Sequence, residues 1–313
     1  MSNVKKIAVY LFAISFFFML QNVTSAAEKL TNSYGIKITE EQYENFKELG
    51  FTDLAIDQMN KEVFKANKDL VVDSKSESTK YQEIVETTPV ENQVSTFSTT
   101  SENSPTYTTT ELNEEEYFKR VEQEKNGIKI FASSDTTTTS YRRLTTSIQL
   151  IGATTRLHNK FIWDIIPSTR SYDVLSTAID STFSPKSGSE YGQQLWAYTY
   201  TTSGGFYGGN SAYPAGSATY TRDGAGYGVK MDLRNDTSNT RVTQLEGYMY
   251  FSIVRSSSVV PYYINAYGNY SHLKTTADTS FSYGLDFGGP ALSWSGITSS
   301  SFDSMSAHAQ IPY

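Results

Sequence analysis

The acidic residues of the second half of the chain are its candidates for acid–base chemistry. Five stand on or beside predicted strands: Asp164, Asp173, Glu190, Asp232 and Glu246. A retaining glycosidase cleaves a sugar linkage with two carboxyl groups held about 5 Å apart in a cleft. Such a pair would make this chain a glycan-active hydrolase, which is one alternative for its function. Because no spacing in the sequence brings two of these carboxylates together, the sequence predicts no catalytic residue.

Histidine chemistry has little support in the sequence. The three histidines, His158, His272 and His308, lie far apart in the chain. None accompanies a G-x-S-x-G nucleophile turn or an H-E-x-x-H zinc motif, and the chain has no phosphate-binding loop or EF-hand. His272 follows Asn269, Tyr270 and Ser271 at a strand end, and we predict that it is a surface residue.

Two polar stretches could hold an ion, but simpler explanations are favoured. Asp232, Asn235 and Asp236 carry the oxygen ligands that calcium prefers, although Asp and Asn at a hairpin tip are typically turn formers. The glycine-rich run from 223 to 228 is typical of a hairpin that enters a strand. The chain has no cysteine for a zinc–thiolate site or a disulfide. The sequence therefore predicts no metal and no cofactor.

Tyrosine supplies the strongest signal for binding. Seventeen of the 23 tyrosines follow residue 139. Two-residue alternation predicts three outward-facing pairs, namely Tyr198 with Tyr200, Tyr248 with Tyr250, and Tyr263 with Tyr267. A tyrosine has an apolar ring and a polar tip, which suits contact with a glycan or a protein. The other interpretation is that these rings pair across strands within half-buried sheets.

The elements that position these residues are predicted to be β-strands. From Thr243 to Ile253, apolar residues alternate with polar residues and tyrosines, and the same period recurs at 227–233, 279–287 and 305–311. Together with the runs at 148–151, 161–166, 172–179, 195–200 and 262–270, this gives eight to ten strands over residues 140–313. Strands at this spacing predict an antiparallel β-sandwich or a barrel-like domain.

The N-terminal residues indicate export and a small helical segment. Lys5 and Lys6 precede an apolar run that is too short to span a bilayer, and Ser25-Ala26-Ala27 has the form of a signal-peptidase site. We predict that the signal peptide, residues 1–27, is cleaved after about Ala27 and that no permanent membrane anchor is left. In residues 28–70, Thr39 with Gln42 forms a capping box, and Thr52 and Asn60 begin two further helices.

Residues 71–139 are rich in Ser, Thr, Glu and Lys and are predicted to be a disordered linker, with one short helix near 114–125. From residue 28 to 139 the chain holds 22 acidic and 12 basic residues, a net charge of −10. Residues 140–313 hold 11 acidic and 12 basic residues, a net charge of +1. The total of −7 argues against a nucleic-acid partner.

Three stretches resemble a known group of proteins. The run YGIKITEEQYENFKELGFTDLAIDQMNKEVFKANKDL and the stretches IWDIIPSTRSYDVL and INAYGNYSH are similar to segments of uncharacterised secreted proteins of Bacillus and related Gram-positive bacteria. These stretches cover about a fifth of the chain. The resemblance implies an exported Gram-positive protein and assigns no catalytic residue.

The sequence as a whole favours a secreted, non-catalytic binding or surface-interaction protein that contacts an extracellular glycan or protein through tyrosines. A hydrolase is the first alternative. A membrane-active, β-pore-forming protein is the second, because strands rich in Ser and Thr can re-pair as membrane hairpins, and Ser293 to Ser306 has that composition.

Overall fold

The fold is known from a computed structural model that describes residues 30–88, 105–127, 136–202, 204–223, 225–274, 284–287, 292–295 and 301–313. The predicted signal peptide and the residues 279–283 of one predicted strand lie outside these ranges. The chain is mainly β-structure, and its strands pair antiparallel, as the alternation predicts. No helix in the described ranges combines the length and hydropathy needed to cross a membrane.

The helices and most of the strands are distributed along the chain as follows. The helices are α1 (Glu40–Glu48), α2 (Asp53–Asp57), α3 (Lys61–Asn67) and α4 (Glu114–Lys125). The first strands are β1 (Leu30–Thr31), β2 (Lys37–Ile38), β3 (Ser74–Thr88), β4 (Thr106–Leu112), β5 (Thr136–Ile151), β6 (Thr154–Ile165), β7 (Tyr172–Ile179), β8 (Phe183–Pro185) and β9 (Tyr191–Tyr200). The later strands are β10 (Phe206–Tyr213), β11 (Tyr220–Asp223), β12 (Gly226–Asp232), β13 (Thr240–Arg255), β14 (Tyr263–Leu273), β15 (Gly284–Phe287), β16 (Leu292–Ser295) and β17 (Phe302–Pro312).

Two antiparallel sheets form the body of the molecule. The larger, eight-stranded sheet has the order β10-β9-β13-β6-β5-β3-β4, with β8 also paired to β13. The five-stranded sheet has the order β11-β12-β7-β14-β17. The candidate membrane hairpin at 293–306 lies partly outside the described residues, and its described ends belong to β16 and β17.

The two sheets pack face to face over one apolar core. Leu245, Met249 and Phe251 of β13 point into it, as their alternation predicts. The two sheets meet directly where the Phe161 ring of β6 stacks on the Tyr270 ring of β14, with centroids 4.2 Å apart. Burial of such side chains stabilises the fold by roughly 25 cal/mol per Å² of apolar surface. The packing therefore corresponds to a sandwich.

Helices α1, α2 and α3 begin where the sequence predicts. The Thr39 hydroxyl accepts a hydrogen bond from the Gln42 amide, and the Gln42 side chain accepts one from the Thr39 amide, which completes the capping box. Thr52 caps α2 and Asn60 caps α3, each by accepting hydrogen bonds from backbone amides of the first turn with its side chain. Gly50 has a φ of +92°, a conformation that favours glycine, and this allows the chain to turn sharply after α1.

Residues 30–70, which we call the helical cap, do not stand alone. Their apolar side chains form a second core with Leu195 of β9 and Tyr248 of β13, on the face of the eight-stranded sheet that points away from the first core. Phe51 lies at the centre, 1% exposed, with its ring centroid 5.3 Å from that of Tyr248. The eight-stranded sheet is therefore buried on both faces in this region.

The predicted linker at 71–139 is wrong for its described residues. Strand β3 pairs with β5 over 15 residues, from Ser74 opposite Leu150 to Thr88 opposite Thr136, and β4 pairs with β3. This strand lacks apolar alternation and is held by backbone hydrogen bonds to its neighbours. Cross-strand side-chain pairs add to this, such as Thr79 with Thr145, whose hydroxyls are 2.9 Å apart. The β-domain therefore starts at residue 74 instead of residue 140.

Helix α4 forms at the predicted position, residues 114–125, with Asn113 as its cap. It is not isolated, because Tyr117 and Val121 are buried against Tyr141 of β5. The Tyr117 hydroxyl donates a hydrogen bond of 2.8 Å to Asp164 on β6. Helix α4 thus covers a second area of the same sheet face that carries the helical cap.

Candidate functional site

Three tyrosines on the β9–β10 hairpin form a partly exposed group of rings, which we call the tyrosine cluster: Tyr198, Tyr200 and Tyr207. Tyr198 and Tyr207 are paired across the strands, and their rings stack with centroids 5.7 Å apart. The Tyr200 ring meets both edge-on, at 5.7 Å and 5.1 Å. Tyr200 is 37% exposed and Tyr207 is 47% exposed. The rings hold one another in place while part of their surface stays open to solvent.

Glycines on the same hairpin let aromatic rings lie flat against the backbone. A Cβ atom at Gly205 would be 2.7 Å from the Tyr207 ring, and one at Gly209 would be 2.6 Å from the Trp196 ring. Arg234 lies over that Trp196 ring at 5.4 Å. The result is an aromatic strip with a cation at one end, on the side of the sheet that elsewhere faces the core.

The other predicted tyrosines do not join this cluster. Tyr248 points away from the first core but is 2% exposed, so the prediction that it is open to solvent is wrong. The helical cap covers it, and Tyr250 beside it is only partly exposed. Tyr263 is 48% exposed on β14 of the other sheet. Tyr267 stacks on His308 of β17, with centroids 4.6 Å apart, which is the cross-strand ring pairing considered as the alternative.

A charged cleft, the second candidate region, lies on the eight-stranded sheet between the helical cap and α4. Its volume is about 580 Å³, and its walls include Lys125 of α4 and Thr52 of the cap. Three ion pairs line it: Lys47 with Asp53, Lys75 with Glu77, and Arg143 with Asp164. These pairs are partly exposed and are worth little energy individually, so their main effect is to make the cleft polar.

Two further charged residues occupy the floor of the cleft without forming an ion pair with any described residue. Burial raises the pKa of the Glu246 carboxyl to about 7, although a hydrogen bond from the Thr52 hydroxyl opposes this. Burial also lowers the pKa of the Lys160 amine to about 8, opposed by the charge of Glu246. Lys160 donates a hydrogen bond of 3.1 Å to the Gly50 carbonyl oxygen. The cap therefore contacts both groups.

Of the five candidate carboxylates, only Asp164 and Glu246 line this cleft. Asp164 accepts hydrogen bonds from Arg143 at 2.9 Å and from the Tyr117 hydroxyl at 2.8 Å. With those partners it is held as a structural anion that joins α4 to the sheet. Among the residues that the structure describes, the geometry thus offers Glu246 as an acid but no free second carboxylate beside it, and the hydrolase remains a prediction without support from the site.

Asp173 and His272 are brought together inside the sandwich. The His272 Nδ1 atom is 2.9 Å from an Asp173 carboxylate oxygen, and the Tyr270 hydroxyl donates to the same carboxylate. His272 is 4% exposed, so the prediction of a surface histidine is wrong. It is buried because β14 lies between β7 and β17, and because its ring packs against Trp163 of the facing sheet, with centroids 5.0 Å apart.

The stretch considered for calcium is organised by hydrogen bonds within the protein. Asp236 accepts a 2.8 Å hydrogen bond from the Val242 amide and pairs with Arg170 at 3.0 Å. Asn235 donates to the Arg170 carbonyl oxygen. Across the ranges that the structure describes, no group of three or more acidic residues and histidines could hold a metal ion.

Sequence reasoning missed Lys160, Trp196 and Tyr207. A signal for Lys160 was present, because Arg156, His158, Lys160 and Asp164 recur at even positions of β6 while Leu157, Phe161 and Trp163 fill odd positions. The face of β6 that carries these charged residues is nevertheless covered by the helical cap and α4. Tyr207 follows Gly204-Gly205, whose turn brings it across the hairpin to Tyr198.

Comparison with known proteins adds no assignment to this geometry. No protein-family model matches the chain, and no curated protein matches its sequence.

Proposed function

We propose that this chain is an exported, non-catalytic binding protein that holds a carbohydrate on the tyrosine cluster. The observation that carries the proposal is a group of three mutually packed rings at one hairpin, of which Tyr200 and Tyr207 are exposed and Tyr198 is half-buried. Exposed aromatic groups of this kind mark interaction sites more often than isolated surface rings do. The cluster includes Tyr198 and Tyr200 of the six predicted binding tyrosines.

The chemistry of the cluster suits a sugar. The apolar face of a pyranose packs against aromatic rings, while its hydroxyl groups need polar partners at the edge of the contact. The phenol hydroxyls and the guanidinium of Arg234, which lies over Trp196, supply such partners. The three rings also restrain one another, so little side-chain entropy is lost on binding.

An extracellular location is part of the proposal. It is supported by the basic, apolar and small-residue pattern of residues 1–27 and by the resemblance of three stretches to secreted proteins of Gram-positive bacteria. The absence of cysteine means that the exported chain would rely on burial for its stability. We therefore look for the ligand among extracellular and cell-wall glycans.

The proposal is tested by glycan-array binding and cell-wall pull-down with the protein and two variants. Tyr200→Ala combined with Tyr207→Ala removes the most exposed rings of the cluster, and we expect glycan affinity to fall at least about tenfold. Tyr262→Ala is the matched control, because Tyr262 is 89% exposed but lies outside the cluster. Circular dichroism checks that both variants keep their β-structure.

The proposal would be abandoned if the protein were retained by no glycan, or if the double variant bound as tightly as the control. Retention of an extracellular protein that is lost in the double variant, with no glycan retained, would assign the cluster to a protein partner and reject the carbohydrate.

A further inference from the structure

Two basic residues of the cleft have no ion-pair partner among the described residues: Lys125, which is exposed, and Lys160, which is half-buried. Lys47, Lys75 and Arg143 each pair with a carboxylate, whereas Lys160 forms no ion pair with any residue that the structure describes. Among the described residues it forms one side-chain hydrogen bond, to the Gly50 carbonyl oxygen, which uses a single N–H. A half-buried amine without an ion-pair partner favours its neutral form, whose nitrogen lone pair is a nucleophile.

Glu246 lies next to Lys160 on the same sheet face. Glu246 is opposite Ile162 and Lys160 is opposite Tyr248, so the two are diagonal neighbours on the paired strands β13 and β6. Neighbours of this kind are about 7–8 Å apart, so two long side chains can reach the same small molecule. Glu246 is 8% exposed, and burial favours its protonated form. An amine and an acid thus face one cavity.

The cavity is large enough for a ligand and accessible to it. Its volume of about 580 Å³ is within the usual range for small-molecule sites. Its rim includes the exposed residues Asp53, Glu77 and Gln244, so the floor can be reached from solvent.

We propose that the cleft is a covalent binding site for a small aldehyde or ketone, which condenses with the Lys160 amine to form an imine while Glu246 supplies the proton.

The atoms and charges of this step balance. The neutral amine of Lys160 attacks the carbonyl carbon and gives a carbinolamine, which then loses its hydroxyl group as water. The carboxyl group of Glu246 donates the proton that makes water the leaving group, and the products are a protonated imine on Lys160, a Glu246 carboxylate and one water molecule. The two new charges are opposite and adjacent, so they stabilise each other in the buried site.

The ionisation of the two groups suits this chemistry near neutral pH. With a pKa of about 8, an appreciable fraction of Lys160 is neutral at pH 7, whereas an ordinary lysine is almost entirely protonated. With a pKa of about 7, Glu246 still carries its proton in part of the molecules at that pH. This inference is independent of the tyrosine cluster, which lies on another part of the protein.

The test is reductive trapping of the full-length chain with glycolaldehyde and sodium cyanoborohydride at pH 7, followed by peptide mass spectrometry. Cyanoborohydride reduces the imine to a stable secondary amine, so each modified lysine is identified by its mass. We expect the initial rate at Lys160 to exceed that at Lys75 and Lys125 about tenfold, because more of its amine is neutral. Lys75 and Lys125 are internal controls, since both line the same cleft.

Three variants extend the test. Lys160→Arg should abolish the fast modification without raising that of any other lysine, and Lys75→Arg should leave it unchanged. Glu246→Gln, which is similar in shape but cannot donate the proton, should slow the modification of Lys160 several-fold. Modification of Lys160 no faster than that of Lys125 in the unaltered protein would overturn the proposal. A rate in Glu246→Gln equal to the original rate would remove Glu246 from it.

Discussion

Glu246 is buried with a pKa of about 7, compared with 4.5 for an ordinary glutamate, because its surroundings disfavour the charged form. The folded state therefore binds a proton at Glu246 more tightly than the unfolded chain does. A raised pKa of this kind contributes stability that is fully present below pH 4.5 and is lost as the pH rises towards 7. The shift corresponds to roughly 3 kcal/mol over that window.

We predict that Glu246→Gln removes this part of the pH dependence. The stability of the variant relative to the original protein should increase by about 2–3 kcal/mol between pH 4.5 and pH 7, because a glutamine does not ionise. Urea unfolding at a series of pH values measures the difference. Glu77→Gln is the control, since Glu77 is an exposed carboxylate of the same cleft.

Comparing each variant with the original protein cancels the opposite contributions of other groups. His158 is the main one, because burial and the charge of Arg156 hold its pKa well below the usual value, so it destabilises the fold when protonated at acid pH. A constant difference between Glu246→Gln and the original protein from pH 4.5 to pH 7 would contradict the prediction.

For single residues, the sequence predicts which face of a strand a side chain lies on but not whether that face is exposed. The alternation along β13 correctly placed Glu246 and Tyr248 on the face opposite Leu245 and Met249. It could not show that this face is buried too, because the covering residues come from the helical cap almost 200 positions earlier, as the Thr52–Glu246 hydrogen bond illustrates. Exposure is a property of tertiary contacts, and periodicity alone does not determine it.

At the scale of elements, Phe51 packs the helical cap against the eight-stranded sheet. Its ring contacts Phe46 of α1 edge-on at 6.0 Å and Tyr248 of β13 at 5.3 Å, and Arg156 lies over it at 5.8 Å. The cap is roughly the size below which isolated domains seldom fold, so its structure depends on this contact.

We predict that Phe51→Ala loosens the cap while the core strands stay folded. Removing a buried phenylalanine lowers the free energy of unfolding by about 3–5 kcal/mol. We expect this loss to destabilise the cap and its contact with the sheet. Native-state hydrogen exchange should show faster exchange for the amides of α1–α3 and little change in β6 and β13. Phe118→Ala is the control, since Phe118 is 40% exposed on α4 and should have a small effect. Equal acceleration in β6 and the cap would show that the two unfold together.

Elements with a local signal were predictable and elements without one were not. Helices α1–α4 begin at side-chain caps, and β7 matches the predicted range from Tyr172 to Ile179. Strand β3 has few apolar residues besides Ile84 and Val85, so neither its period nor its hydrophobicity identifies it. Its structure comes from pairing with β5 and β4 on either side, which no local pattern reports.

At the scale of the whole molecule, the eight-stranded sheet of the sandwich includes β3 and β4, so residues 140–313 are not a complete domain. We predict that a fragment of residues 140–313 loses cooperative thermal unfolding, whereas residues 72–313 keep it. The shorter fragment lacks β3, so it exposes the edge of β5 from Ser140 to Leu150 and uncovers Tyr141. Circular dichroism melts of the two fragments make the comparison, and matching cooperative melts would refute the prediction.

The pairing of early with late parts of the chain also governs when the protein can fold during synthesis. The helical cap is made first, yet its contacts include Leu195 and Tyr248, and β14 pairs with β17 at the very end of the sequence. Such distant contacts close slowly. The nascent chain can therefore complete both the second core and the five-stranded sheet only after nearly all of it has left the ribosome.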